Sequence, residues 1–263
     1  YFIKEAFKVK GFLNRFSVSF LFWKPEVMVC VPAGCTQVER RAVLDAALSA
    51  GAKVAYLIDE PLAAALGAKI PISAASGHMI VDSGGGATEA AVISLGGVVV
   101  HKSVRVAGNK IDEAIQSYLR KRYNLIIGDQ AAEEIKIKIG SALPLTREER
   151  IEVSGRDQVL GLPRSAFITS SEVTEAIKPV INQIVSTIKE VLEEIPPELA
   201  SDIIDKGIIM SGGTSMMRNL DRLIAEEVGV PVHLAEDPLL CVVKGTGLAL
   251  ENLDLYRRSI SKK

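Results

Sequence analysis

The sequence is short of the residues from which most metal and nucleophile sites are assembled: three cysteines and three histidines in 263 residues. Cys30, Cys35 and Cys241 are an odd number without metal-type spacing. They read as reduced thiols rather than as a disulfide framework or a zinc site. His78, His101 and His233 are each isolated, so no catalytic triad or metal cluster can be assembled from them. An excess of one charge is also missing, since 31 basic against 32 acidic side chains leave −1. That balance excludes a protein held to nucleic acid by bulk electrostatics. No stretch reaches ~18 apolar residues free of charge, so no transmembrane helix is expected. Self-similarity at a period of about 20–50 residues is absent, which excludes a solenoid.

What is abundant is aliphatic. With 48% hydrophobic and 24% charged residues, the chain is globular rather than disordered. Its length suits one large or two modest domains. Residues 1–23 mix Lys4, Lys8, Lys10 and Arg15 with many phenylalanines. A secretory signal would place its charges first and a small-residue cleavage site last. The pattern predicts instead an amphipathic helix over about 1–9 leading into the domain, with membrane contact as the rival.

Further along, residues 27–31 form an apolar run that reads as a buried strand. Thr36 and Glu39 then have capping-box spacing for a helix that stops at Gly51. A second strand over 54–58 and an alanine-rich helix opened by Pro61 follow. This order predicts a sheet with parallel strands and right-handed crossovers. The rhythm changes at residue 78, where three strands joined by tight turns (78–81, 89–94 and 98–106) predict an antiparallel meander. Helices are expected over about 110–122 and 130–141, and a polar, strand-poor region over 144–164. A long helix capped by Ser170 or Ser171 carries an apolar stripe from Val173 to Leu192. The last third predicts a strand over 207–210, a helix over 217–228, a short strand over 230–234 and a closing helix over 238–250.

Four segments carry chemistry. In Asp82-Ser-Gly-Gly-Gly-Ala-Thr88, an aspartate at a strand end projects from the sheet edge. Three glycines behind it expose backbone N–H groups that can wrap a phosphate. No Gly-Lys-Ser/Thr and no helix follow, so the turn is neither a Walker loop nor a dinucleotide fingerprint. A glycine turn between antiparallel strands is the phosphate grip of the actin-like ATPase clan; glycines serving turn geometry alone are the alternative. The second segment, Ser211-Gly-Gly-Thr-Ser215, lies between a strand and a helix, where free N–H groups and the dipole favour anionic oxygens. Third, Asp59 and Glu60 precede Pro61. They are either simple N-terminal helix charge or, for Glu60, a carboxylate that orients a water toward a terminal phosphate. Fourth, Glu133 and Lys136 share one helix face, suited to adenosine or to an exposed ion pair.

Taken together, Val-Pro-x-Gly-x-Thr-Gln-Val-Glu-Arg-Arg (31–41), Ile-x-Glu-Pro-x-Ala-Ala-Ala-x-Gly (58–67) and Asp-x-Gly-Gly-Gly-x-Thr-Glu (82–89) resemble the MreB family of bacterial actin homologues. Pro-Pro-Glu-Leu-Ala-Ser-Asp-Ile (196–203) and Gly-Gly-x-x-x-x-Arg-Asn-Leu-Asp (212–221) do so too. The resemblance covers about 27–250 and implies an α/β actin-like ATPase fold, with two sheet domains flanking a nucleotide cleft. It implies ATP and Mg2+ as cofactors and a weak ATPase activity coupled to filament assembly. Gly84, Gly85, Gly86 and Ala87 become the phosphate hairpin, and Gly212, Gly213, Thr214 and Ser215 the second nucleotide loop. Glu133 and Lys136 become the adenosine contacts. Glu60 positions the hydrolytic water, and Asp82 joins the magnesium shell through water. Self-association into filaments that control rod cell shape follows, with wall-synthesis membrane proteins as partners. A cytoplasmic place at the inner face of the cell membrane is implied as well.

The chain departs from the family pattern in several places. Ser83 and Ala87 stand where isoleucine and threonine are usual, and Asp59 replaces a glutamate. The family's first phosphate hairpin, Asp-x-Gly-Thr-x-Asn, has no counterpart before Val27, which predicts an N-terminally truncated fold. The expected division is 1–75 with 243–263 as the remainder of one domain and 76–242 as the other, with 108–167 as a small subdomain. An unpaired sheet edge is expected around 27–31 and 54–58. The rival readings are a degenerate binding module that acts through partner contacts and a small-molecule kinase of the same clan. Against the kinase, no segment offers a second-substrate pocket.

Overall fold

The computed structural model describes residues 24–262, and the helix expected over 1–9 lies outside them. Strands β1 (Glu26–Val31) and β2 (Val54–Asp59) pair in parallel, from Glu26 opposite Val54 to Val31 opposite Asp59. Helix α1 (Gln37–Ser49) crosses between them. Its capping box forms as the spacing predicts, with Thr36 N–H donating to Glu39 Oε2 at 2.8 Å and Glu39 N–H to Thr36 Oγ1 at 3.3 Å. Leu44 and Ala47 of α1 pack on Val31, Ala55 and Leu57. Helix α2 (Glu60–Gly67) covers the other face, and its residues from Pro61 to Leu66 are all buried.

β11 (Ile260–Lys262) adds antiparallel to β2, giving the order β1-β2-β11. This corrects one expectation, because 54–58 is the middle of a sheet and not an edge. β1 keeps one unpaired side among the described residues.

The meander forms β3 (His78–Ser83), β4 (Thr88–Ser94) and β5 (Gly97–Val104). β9 (Ile208–Ser211) lies parallel beside β3, and β10 (Val232–Leu234) beside β9, so the sheet reads β10-β9-β3-β4-β5. Had 78–81 and 208–210 fallen in separate sheets, the two glycine loops could not share a cleft. They are adjacent strands. Helix α5 (Ser170–Glu193) packs on β4 and β5 through Val173, Ile177, Ile181, Ile184 and Ile188, all buried. Its cap is Thr169, in a capping box with Glu172, rather than Ser170 or Ser171. Ser170 instead accepts from the Glu149 N–H at 3.1 Å.

A third sheet replaces much of the expected strand-poor region. β6 (Leu125–Ile126), β7 (Arg150–Asp157) and β8 (Pro163–Thr169) are antiparallel, and they pack with α3 (Gly108–Tyr123) and α4 (Asp129–Ile139). The strands were hidden because one face of β7 is all polar: Arg150, Glu152, Ser154 and Arg156 alternate with Ile151 and Val153. Only two apolar residues carry the two-residue period, too few to stand out from charge.

α6 (Pro197–Lys206) precedes β9. The helix expected from residue 217 starts later, as α7 (Leu220–Val228), because a 3-10 turn at Thr214–Met216 and a left-handed Asn219 intervene. The closing segment divides into a 3-10 turn at Pro238–Leu240 and α8 (Cys241–Glu251). α8 lies on α2 with no room for side chains. A Cβ on Gly245 would stand 1.7 Å from the Ala63 carbonyl oxygen, and one on Gly67 1.8 Å from that of Cys241. Ile58, Leu62, Ala63 and Leu66 also share a core with Ile80, Ala91 and Ile93, so α2 is gripped between the first two sheets.

Candidate functional site

The register of β3 and β9 decides what meets at their ends. Asp82 stands opposite Ser211. Its carboxylate, buried at 7% exposure, accepts from Ser211 Oγ at 2.6 Å. Burial pushes the Asp82 carboxyl above its ordinary range, and the Ser211 bond opposes that shift in part.

Beyond Asp82 the chain turns, with Gly84 N–H donating to the Ala87 carbonyl at 3.0 Å. The Gly84 carbonyl accepts from Thr214 Oγ1 at 2.6 Å and from Gly108 N–H at 3.2 Å, and the Gly85 carbonyl from Asn109 N–H at 2.8 Å. Both carbonyls are thereby committed to the start of α3 and to the second loop. Because the peptide unit is planar and trans, the N–H groups of Gly85 and Gly86 point the opposite way. The second loop itself requires glycine. Gly212 has φ +86°, and a Cβ there would fall 2.3 Å from the Ser83 carbonyl oxygen.

A cavity of about 650 Å³ opens between these elements. Of the residues singled out in the sequence, it brings together Asp82, Gly84, Gly85, Glu133, Lys136, Gly212, Gly213 and Thr214. Ile137, Met216, Leu239 and Val242 give it an apolar wall. Ser215 is buried and turns its hydroxyl back to the Ser211 carbonyl, and Gly86 does not line the cavity.

Lys136 does not pair with Glu133, as an i,i+3 ion pair would. Its ammonium binds Asp112 at 2.9 Å and the Gly108 carbonyl at 3.4 Å. The Asp112 carboxyl is raised by burial, against the pull of Lys136. Its Oδ1 is buried without a hydrogen-bond partner.

Glu60 and Ala87 lie elsewhere than expected. Both line a second cavity of about 520 Å³, shared with Glu89, His101 and Arg105. The Gly84–Ala87 turn therefore faces both cavities, with Gly84 and Gly85 on one and Ala87 on the other. Glu60 remains within electrical reach of Asp82, since burial raises its carboxyl and the Asp82 charge raises it further. Glu89 is buried and pushed up to about 7, first by burial and then by Glu60.

Three contributors escaped the sequence reading. Gly108 and Asn109 looked like an ordinary helix start, yet a Cβ on Gly108 would come within 2.9 Å of Thr214 Oγ1. Ala-Gly-Asn before a helix that follows a glycine hairpin was the available signal. Glu89 lay inside the quoted hairpin motif, and its alternation with Thr88 along β4 gave no sign of a buried carboxyl.

Comparison with known proteins bears on this geometry. A family model described as "MreB/Mbl protein" matches residues 3–258. The cell shape-determining protein MreB of Escherichia coli K12 is 49% identical over 259 residues, covering 97% of this chain and 75% of that protein. The cell shape-determining protein Mbl of Bacillus subtilis 168 is 46% identical over 254 residues, covering 96% and 76%. The crystal structure of MreB5 of Spiroplasma citri bound to AMPPNP superposes with a TM-score of 0.88 at 36% identity, over 97% of this chain and 76% of that one. A MamK chain from a double helical filament superposes with a TM-score of 0.75 at 22% identity, a likeness of fold alone. This chain thus spans about three quarters of the length of these relatives.

Proposed function

Because the chain belongs to the MreB/Mbl family of cell shape-determining proteins, with the actin-like fold, we infer that it binds ATP and assembles with copies of itself into cytoskeletal filaments. One observation carries the inference: the two glycine loops meet backbone to backbone at the mouth of one cavity, where the Ser83 carbonyl approaches Gly212 too closely for any Cβ. MreB5 of Spiroplasma citri has structures with AMPPNP and with ADP, and MamK one as a double helical filament.

The residues fit a nucleotide. Gly85 and Gly86 offer their backbone N–H groups to the phosphates, Gly84 shapes the turn that presents them, and Gly212, Gly213 and Thr214 form the facing wall. Glu133 and Lys136 approach the adenosine, and the apolar wall takes the base. Gly108 keeps open a cradle that a Cβ would fill. Mg2+, when bound with ATP, neutralises phosphate charge, and Asp82 is the carboxylate placed to hold its water shell. Glu60, which lines the second cavity beside Ala87 at the end of the same turn, is the carboxylate that orients the attacking water in a weak ATPase coupled to assembly.

Residues 24–75 and 243–262 form one domain and 76–242 the other, with 108–167 as its subdomain. The filaments work in the cytoplasm at the inner membrane face, with wall-synthesis membrane proteins as partners. Among the described residues no helix is long and apolar enough to cross a membrane.

Isothermal titration with ATP and magnesium, followed by electron microscopy of the same sample, tests the proposal. Binding heat and filaments are expected. Neither heat nor filaments from a folded sample would remove it.

A further inference from the structure

We propose that Arg40 is a positioning residue for Glu60, holding the ends of β1 and β2 together so that the carboxylate that follows them faces the second cavity. The proposal rests on the water-orienting role of Glu60 given above.

Asp59 is the N-cap residue of α2, yet its side chain makes no capping bond. An aspartate in that position ordinarily accepts from the second or third N–H of the helix. Here the second helical residue is Pro61, which has no N–H, and the Asp59 carboxylate is turned outward to Arg40 Nη2. Arg40 sits near the start of α1, and its guanidinium reaches three acceptors in two separate segments. Besides Asp59 at the end of β2, Nη2 approaches the Ala33 carbonyl at 3.5 Å and Nε the Cys35 carbonyl at 3.4 Å, both in the loop after β1.

That loop touches the other side of the cavity too, because Ala33 N–H points at Glu89 Oε2 at 3.5 Å. Val31 and Asp59 are register partners, so the loop and Glu60 leave the sheet side by side. One planar fork thus fixes both exits, and Pro61 on the other side of Glu60 leaves that residue little backbone freedom. The ion pair is half-buried, at 16% and 22% side-chain exposure, which shields it from solvent screening more than a surface pair.

In the full chain, Arg40→Gln and Asp59→Asn are each expected to lower ATP turnover about tenfold while the Kd for a fluorescent ATP analogue stays within about twofold. The double variant is expected to lose no more than either single one, because both substitutions break the same contact. Arg40→Lys is expected to recover only part of the loss, since an ammonium cannot reach all three acceptors. Unchanged turnover, or turnover and affinity falling together, would overturn the proposal. If Arg40→Gln does not fold, Asp59→Asn carries the same test.

Alkylation of Cys35, followed by mass spectrometry, reads the loop without any turnover. It is expected to quicken in Arg40→Gln and Asp59→Asn, and an unchanged rate would overturn the brace. Absence of hydrolysis by the natural sequence would remove the role of Glu60 instead, leaving the labelling rate to decide on the brace.

Discussion

β3 has partners along both sides, β4 and β9, and belongs to a sheet whose covering helix α5 buries six or more aliphatic side chains along one stripe. β1 has β2 on one side and, among the described residues, nothing on the other. The core beneath β3 is one continuous cluster running from Met79 through α3, α4 and α5 to Val230. Beneath β1 there are two smaller ones. The cluster around Leu62 is shared with Ile80 and Ile93 of the second sheet, and the other is the short patch between α1 and β2. The first sheet therefore takes much of its stability from its contact with the second, through α2 and α8. The catalytic candidates divide the same way, with Glu60 on the dependent side and the glycine loops on the self-sufficient one.

The sharpest way to break this comparison is Gly245→Val. Its side chain would collide with the Ala63 backbone, and a backbone atom cannot swing aside. The expected loss is at least ~5 kcal/mol, concentrated in the first region, because overpacking here means parting two helices. Denaturant unfolding followed by two probes is expected to show an early transition for α2 and α8, then a later one for the β3 sheet. Gly247→Val, on the same helix with no atom within 4 Å of the added Cβ, is the control and is expected to change stability by less than ~1 kcal/mol. A single shared transition in Gly245→Val would show that the two regions do not differ in this way.

Truncating the self-sufficient core sharpens the contrast. Ile184→Ala, at a fully buried position of α5, is expected to cost about 4 kcal/mol, against about 2 for Leu44→Ala under the first sheet. Urea midpoints would check both, and equal costs would argue that the patch between α1 and β2 packs as tightly as the large core.

A smaller effect comes from Glu89, whose carboxyl is raised from 4.5 to about 7. The folded state holds this proton over an interval where the unfolded state has released it. Stability is therefore highest below about 4.5 and falls as pH rises toward 7, by on the order of 3 kcal/mol for this group. Burial of Asp82 and Glu60 acts in the same direction. Glu89→Gln is expected to flatten the curve measured by thermal unfolding between pH 5 and 8, without nucleotide or metal. A slope as steep as in the natural sequence would assign the titration to other groups.

Legibility in the sequence followed the strength of local signals. The capping box at Thr36 and Glu39 and the turn from Gly84 to Ala87 are closed by contacts within a few residues, and both formed as read. β7 was lost because charge on one face drowned a two-residue period. The placement of Glu60 in a separate cavity, the pairing of Lys136 with Asp112 and the role of Gly108 depend on contacts made by helices distant in the chain. No spacing rule reaches those.

The smallest expected change in stability belongs to Gly85→Val, and it tests the site rather than the fold. Gly85 is not among the glycines with positive φ, so valine needs no forbidden backbone conformation. The nearest atom to its Cβ would be Asn109 Oδ1 at 3.2 Å, the end of a side chain that can rotate away. The cost should stay below about 1 kcal/mol. Gly212→Ala behaves otherwise, since its φ of +86° and the Ser83 backbone at 2.3 Å oppose any side chain. For Gly85→Val the consequence falls on the ligand: a branched side chain stands over the N–H groups that the turn presents, and charge-assisted hydrogen bonds to phosphate lengthen or vanish. Losing one such bond at ~1.5–3 kcal/mol corresponds to an ATP affinity weaker by roughly 10- to 150-fold. Titration with a fluorescent ATP analogue, beside a melting curve of the same sample, measures both quantities. A folded Gly85→Val protein that binds ATP as tightly as the natural sequence would mean that the hairpin grips no phosphate, however well its backbone is tied down.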